Sequence, residues 1–285
     1  MIRLTSGSIN RKIAVGQGDI IHRPPSEKLG KHSWGFIATA DCDIAQDKSG
    51  ARLSYLEVVT VHDYIENIWA AEVIRKLKER TIADAAALIT KATQEIDASF
   101  DATSPEELLD WLAETSVEEL LKVINVEYKK RKQYLDALNI VELVFNLRGS
   151  SETALQRLRR IWSIQGLLGK AMRARLEQAL DYNKSTDFHL IPSLPGSDCL
   201  GYIVLLREVY SIRNEDIHKS ALDLQINGGE GAYYIAGPLS DNLRYAISQK
   251  MAYMFSRIGM SLEYESHCEI VTQLAIDEIL SRHDV

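Results

Sequence analysis

The chain has 285 residues, 46% of them hydrophobic and 26% charged, with a formal net charge of −7. That is an ordinary balance for a globular chain able to bury a sizeable core in one or two domains. Cys42, Cys199 and Cys268 are odd in number, widely spaced and free of a CxxC pair, which excludes a disulfide framework or a zinc ribbon. Cys199 and Cys268 are expected to sit buried as small hydrophobes. No apolar run approaches the ~20 residues that span a bilayer. Met1-Ile2-Arg3-Leu4-Thr5-Ser6 has no signal-peptide hydrophobic region, so a cytoplasmic location away from membranes is expected.

The first 62 residues read as β. Gly18-Asp19-Ile20-Ile21-His22 is a short strand entered through a glycine turn, and Pro24-Pro25-Ser26 with Leu29-Gly30-Lys31 forms a loop. Gly35 to Thr39 is a second strand, and the β-branched run from Leu53 to Val61 a third, with Lys48-Ser49-Gly50 as a turn between them.

From about Asp63 to Tyr182 the pattern is helical. Ile65, Ile68, Trp69, Val73 and Leu77 recur at helical spacing, as do Ile82, Ala86, Ile89, Thr93 and Ile96. Ser104-Pro105-Glu106-Glu107 and Ser116-Val117-Glu118-Glu119 are capping boxes. A long helix is expected from Ser151 to Leu180, weakened at Gly166 and Gly169. Charge divides sharply here: residues 63–121 carry −9, residues 122–184 carry +7, and the rest of the chain supplies −5.

Beyond this the chain returns to β, with strands at Phe188 to Ile191, Tyr202 to Ile212 and Tyr233 to Ile235. Ser240 opens a helix bearing Leu243, Ile247, Met251, Met254 and Ile258, which Gly259 stops, and a final helix runs from about Ser266 to Ser281. The expected fold is α+β: a discontinuous small SH3-like β-barrel interrupted by a large helical insertion, with C-terminal helices. Residues 1–62 and 187–260 form the barrel core with its helix, 63–186 the insertion, and 261–285 the C-terminal helix.

Gly18-Asp19-Ile20, Gly35-Phe36-Ile37-Ala38-Thr39, Leu206 to Ile212, and the helix from Leu239 to Gly259 resemble the growth-inhibitor fold of the PemK and MazF toxins. The resemblance covers roughly residues 13–62 and 187–260. It implies a small SH3-like barrel and an RNA-directed activity. Those toxins carry an Arg-Pro before the second strand, where this chain reads Lys31-His32-Ser33-Trp34.

Asp41-Cys42-Asp43 follows the second strand directly. In a continuing strand the two carboxylates share one face, where they could hold a divalent cation or divide acid and base roles. The alternative is that both cap local backbone amides in a turn. Cys42 between them meets negative potential, which disfavours the thiolate. Lys48 is a candidate phosphate contact. Arg213-Asn214-Glu215-Asp216-Ile217-His218 resembles the Arg-x4–6-His motif of HEPN ribonucleases, in which Arg stabilises a phosphoryl oxyanion and His moves a proton. That family needs the motif on a packed helix, in competition with the strand expected at Tyr202 to Ile212. Arg157, Arg159, Arg160, Lys170, Arg173 and Arg175 make the Ser151 helix basic, suited to a phosphate backbone or to pairing with the acidic helices of residues 63–121.

The functional expectation is a nucleic-acid-directed protein of toxin or defence type, an endoribonuclease on one reading, acting on RNA or single-stranded nucleic acid. Its catalytic candidates are Asp41, Asp43, Arg213 and His218. The alternative is a non-enzymatic module that uses the helical insertion to bind a protein partner. Either is compatible with a homo-oligomer.

Overall fold

The computed structural model describes residues 15–25, 33–126, 128–167, 169–181, 185–199, 201–256 and 262–283. Its strands are β1 (Asp19–Arg23), β2 (Ser33–Ile37), β3 (Arg52–Thr60), β4 (Phe188–Ile191), β5 (Tyr202–Arg213), β6 (Ile217–His218) and β7 (Tyr233–Pro238). They form one mixed sheet of seven strands in the order β4-β5-β3-β2-β1-β7-β6. All neighbours run antiparallel except β6 and β7. The expected barrel is corrected here: β4 and β6 are edges, and the sheet does not close. The loop signals at Ser26 and Leu29-Gly30-Lys31 and the stop at Gly259 lie outside the described residues.

Helical segments fill the remainder. α1 (Asp41–Ala45) is a single turn after β2. After β3 the chain enters α2 (Val61–Asp63), a π-helical segment (Tyr64–Trp69) and α3 (Ala70–Ile96) without interruption. The entry is capped locally: the Thr60 hydroxyl accepts from the Asp63 amide at 3.0 Å and donates to the Asp63 carboxylate at 2.7 Å. α4 (Pro105–Glu114) and α5 (Val117–Val123) start on the capping boxes of Ser104 with Glu107 and Ser116 with Glu119. α6 (Tyr128–Phe145) follows. The helix expected from Ser151 to Leu180 is two helices, α7 (Ala154–Ile164) and α8 (Lys170–Ala179). Between them Gly166 and Gly169 take φ of +72° and +57°, a region that only glycine enters cheaply. α9 (Ala221–Asn227), α10 (Asp241–Ser256) and α11 (Leu262–His283) complete the chain.

The insertion buries its own apolar surface. Ile82, Ile89, Leu108, Leu112, Leu120 and Leu138 make one core among α3 to α6. Ala70, Ile74, Val144, Leu158, Ile161 and Trp162 make a second among α3, α6 and α7. On the sheet, alternation divides each strand between two faces. Ile20, Phe36, Leu56, Val204 and Leu206 meet Ile247 and Met254 of α10 on one face, while Ile21, Ile37, Leu53, Ile212 and Tyr233 pack on the other. Among the described residues no helix is long and apolar enough to cross a membrane.

The capping boxes supply a direct check. Ser104→Ala removes a side-chain acceptor from the Glu107 amide and should lower unfolding stability by about 1 kcal/mol. Urea denaturation monitored by circular dichroism reads the shift, and an unchanged midpoint contradicts the capping role.

Candidate functional site

Asp41 and Asp43 do not extend β2. They lie in the single turn of α1, where positions two apart point away from each other. Asp41 is occupied structurally: Oδ1 accepts from the Gln17 amide at 2.7 Å, and Oδ2 pairs with Arg244 of α10 at 3.0 Å. Arg244 is 11% exposed, also pairs with Asp241 at 3.2 Å, and leaves its Nε buried without a partner. Gly18, at φ +85°, leaves room for this side chain: a Cβ there would stand 2.5 Å from Arg244 Cδ. Asp41 therefore ties the start of β1 to the sheet-covering helix. Lys48 is exposed on the following turn. Among the described residues, no group of three His, Cys, Asp or Glu side chains is arranged to hold a metal ion.

The Arg213 and His218 run departs from the placement that the HEPN motif requires. β5 extends through Arg213, a 3-10 turn covers Asn214–Asp216, and His218 lies in β6 beside Tyr234 of β7. Arg213 binds Glu215 at 3.0 Å, whereas His218 faces Asp223 at 3.7 Å. The two side chains engage different carboxylates.

The basic stretch pairs partly within itself and partly with residues 63–121, where Lys130 binds Glu95 at 2.9 Å and Arg148 donates to the Thr115 carbonyl at 2.9 Å. Arg148 binds Glu142, Arg160 binds Glu152, and Arg173 binds Glu177, at 2.6 to 2.8 Å. Arg157 donates to the Leu143 carbonyl at 3.0 Å, and Arg175 lies 5.5 Å over the Trp162 ring. Arg159 and Lys170 are exposed. All three cysteines are exposed, which corrects the burial expected for Cys199 and Cys268: the first is in the loop before β5, the second on the outer α11 helix.

A different place in the fold gathers chemistry. Where β1, β2 and β3 end against the helical insertion, a cleft of about 890 Å³ opens, lined from both sheet faces and by the loop before β5. This lies in the upper part of the range of small-molecule sites. His22 is 7% exposed, stacks on Trp34 at 3.7 Å between centroids, and its Nδ1 meets the Tyr234 hydroxyl at 2.9 Å. Trp34 meets Tyr202 edge-on at 6.0 Å, and the Tyr202 hydroxyl bonds Ser197. Burial pushes the Tyr202 phenol upward.

Arg23, adjacent to His22 and therefore from the opposite face, also lines the cleft. Its guanidinium is 6.0 Å from the Tyr233 ring, and its Nη1 is buried without a hydrogen-bond partner. Glu57 and Asp63 supply carboxylates on the same walls. Burial first, and Glu208 second, raise the Glu57 carboxyl above the usual range. Glu57 and Glu208 lie within a register shift, in which Leu56 faces Val209 while Val58 faces Val204. Asn67 and Ile68 of the π-helical segment form part of the wall, a position where such a segment often marks function.

The sequence alone did not point to Arg23, Trp34, Tyr202 or Tyr234, because the cleft assembles them from segments far apart in the chain. The available signal was His22 alternating with Ile20 in an apolar strand, a position that buries an imidazole.

Two measurements separate scaffold from site. Asp41→Ala should cost about 1–2 kcal/mol of unfolding stability through its lost amide and Arg244 contacts, while Asp43→Ala should stay within about 0.5 kcal/mol. Equal costs contradict the tie. Glu57→Gln should stabilise the fold at neutral pH, because a raised carboxyl makes the native state pay for ionisation above its folded pKa. The gain should fade as pH falls to the ordinary glutamate range, about 4.3, and below. A gain that persists at low pH overturns the burial explanation.

No protein-family model, curated protein or solved structure matches the chain.

Proposed function

We propose that this chain is a nucleic-acid-directed protein whose strand-end cleft takes a phosphate-bearing terminal nucleotide of a single strand. The observation that carries the reading is Arg23, a cleft-lining guanidinium with Nη1 buried and unpartnered. A buried donor without an acceptor is costly, and a phosphate oxygen is the acceptor that a guanidinium fits best. Trp34 and Tyr202 form a buried aromatic floor beneath the cleft, and Trp34 holds the His22 ring by stacking. Glu57 and Asp63 provide acceptors for amino groups on a base edge. His22, held by Trp34 and Tyr234, is the proton-moving candidate of the cleft. The resemblance to PemK and MazF toxins makes RNA the first polymer to test.

A protein partner is the second reading. It is favoured by the exposed apolar side chains Ile96, Phe100, Trp111 and Val123 on the insertion.

The test is fluorescence anisotropy with a labelled single-stranded RNA carrying a 5′-phosphate, a 3′-phosphate or neither. Wild-type chain should prefer a phosphorylated form, and Arg23→Gln should weaken that binding at least tenfold while leaving circular dichroism unchanged. Equal affinity for phosphorylated and unphosphorylated RNA, or an Arg23→Gln chain that binds as wild type, overturns the reading.

A further inference from the structure

A small cavity, of about 250 Å³, lies inside the insertion where α3, α6 and α7 meet, and it shares no lining residue with the strand-end cleft. Ile74 and Val144 are its buried apolar lining. Arg75, Lys78 and Arg157 bring three cations to its walls, and among the described residues that line it there is no Asp or Glu. The three cations are not equivalent. Arg75 is already neutralised, because Glu72 accepts from its Nε at 2.6 Å and from its Nη2 at 2.8 Å. Lys78 holds its Nζ 5.4 Å from the Phe145 ring centroid, and among the described residues no carboxylate pairs with it. Arg157 donates Nη1 to the Leu143 carbonyl in the last turn of α6 at 3.0 Å, while its Nε is buried without a hydrogen-bond partner. Capping the negative end of α6 explains the Nη1 contact. It leaves the Nε and the Lys78 charge unanswered.

We propose that this cavity is a site for a small free oxyanion of the phosphate class. With the Leu143 carbonyl on Nη1, the Arg157 guanidinium retains its Nε–Nη2 edge, the fork that fits two oxygens of a tetrahedral anion. The Lys78 ammonium, mounted on a different helix, supplies a second charge for a further oxygen. A buried N–H without an acceptor is costly, and an oxyanion removes that cost. A neutral ligand would leave both charges unanswered. The volume falls below the ~300–1,000 Å³ of sites for drug-sized ligands, so the cavity suits an isolated phosphate rather than a nucleotide. Occupancy would tie α3 to α7 beside the end of α6. The site is separate from the strand-end cleft and does not rest on the reading of that cleft.

The experiment is isothermal titration calorimetry of the full chain with inorganic phosphate, at an ionic strength held constant with sodium chloride. It is run in the Arg23→Gln background, so that phosphate at the strand-end cleft is not counted. Saturable binding to one site is expected there. Adding Lys78→Gln should raise the dissociation constant at least fivefold. Adding Arg157→Lys, which keeps the charge but not the fork, should raise it at least tenfold. Lys78 is exposed, so its replacement should leave the circular dichroism unchanged and tests the site even where Arg157→Lys disturbs the α6 contact. Unphosphorylated single-stranded RNA should not displace the phosphate; displacement would assign the cavity to a polymer backbone and overturn the free-anion assignment. Absence of saturable phosphate binding in the Arg23→Gln chain, or an affinity indifferent to Lys78→Gln, overturns the proposal.

Discussion

The pairing of β3 with β5 is the constraint on which the rest of the structure depends. β3 ends at Thr60 and β5 begins at Tyr202, so β5 and β4 join the sheet only when the whole insertion returns to its starting point. The entropy of closing so long a loop grows only slowly with its length, provided the intervening chain satisfies itself. It does so through two apolar cores of its own, and one helix capped at Thr60 leads straight out of the sheet. The insertion is therefore packed internally and attached at a seam, and the strand-end cleft lies at that seam.

That location has chemical consequences. At the ends of β1, β2 and β3 the alternation of side chains brings both sheet faces to one opening, so His22 and Arg23 reach a shared cleft although they point to opposite sides. Burial raises the Glu57 carboxyl, and the register shift between β3 and β5 adds Glu208 as a second, smaller cause. The π-helical segment carries Asn67 and Ile68 to the strand-end cleft and Tyr64 and Trp69 to a cavity of about 500 Å³ beside α7, α8 and β4. One irregular helical segment thus contributes to two cavities that share no lining residue.

Local signals were legible in the sequence, and assembled ones were not. Ser104 with Glu107 and Ser116 with Glu119 announced their helices because a capping box is complete within four residues. Gly166 and Gly169 marked a break, although its depth, two separate helices, needed the positive φ values to be seen. The β-branched content of β3 and the aromatic and branched run of β5 were sufficient to identify strands. Asp41 could not be read correctly, because its role depends on Arg244, a partner 203 positions away. Closure into a barrel likewise depends on edge pairing that no local pattern encodes. Arg23 and Tyr202 are ordinary residues in ordinary strands until the fold places them at one opening.

The central claim is that the junction of strand ends and insertion is the binding surface, and hydrogen exchange with a phosphorylated single-stranded RNA tests it most directly. Added RNA should slow exchange in β1 around His22 and Arg23, in the Thr60–Trp69 entry, and in the loop at Gly196–Cys199 that lines the cleft. Protection confined to α1 at Asp41–Ala45, or to exposed positions of α7 and α8 such as Arg159 and Lys170, would place binding elsewhere and contradict the account.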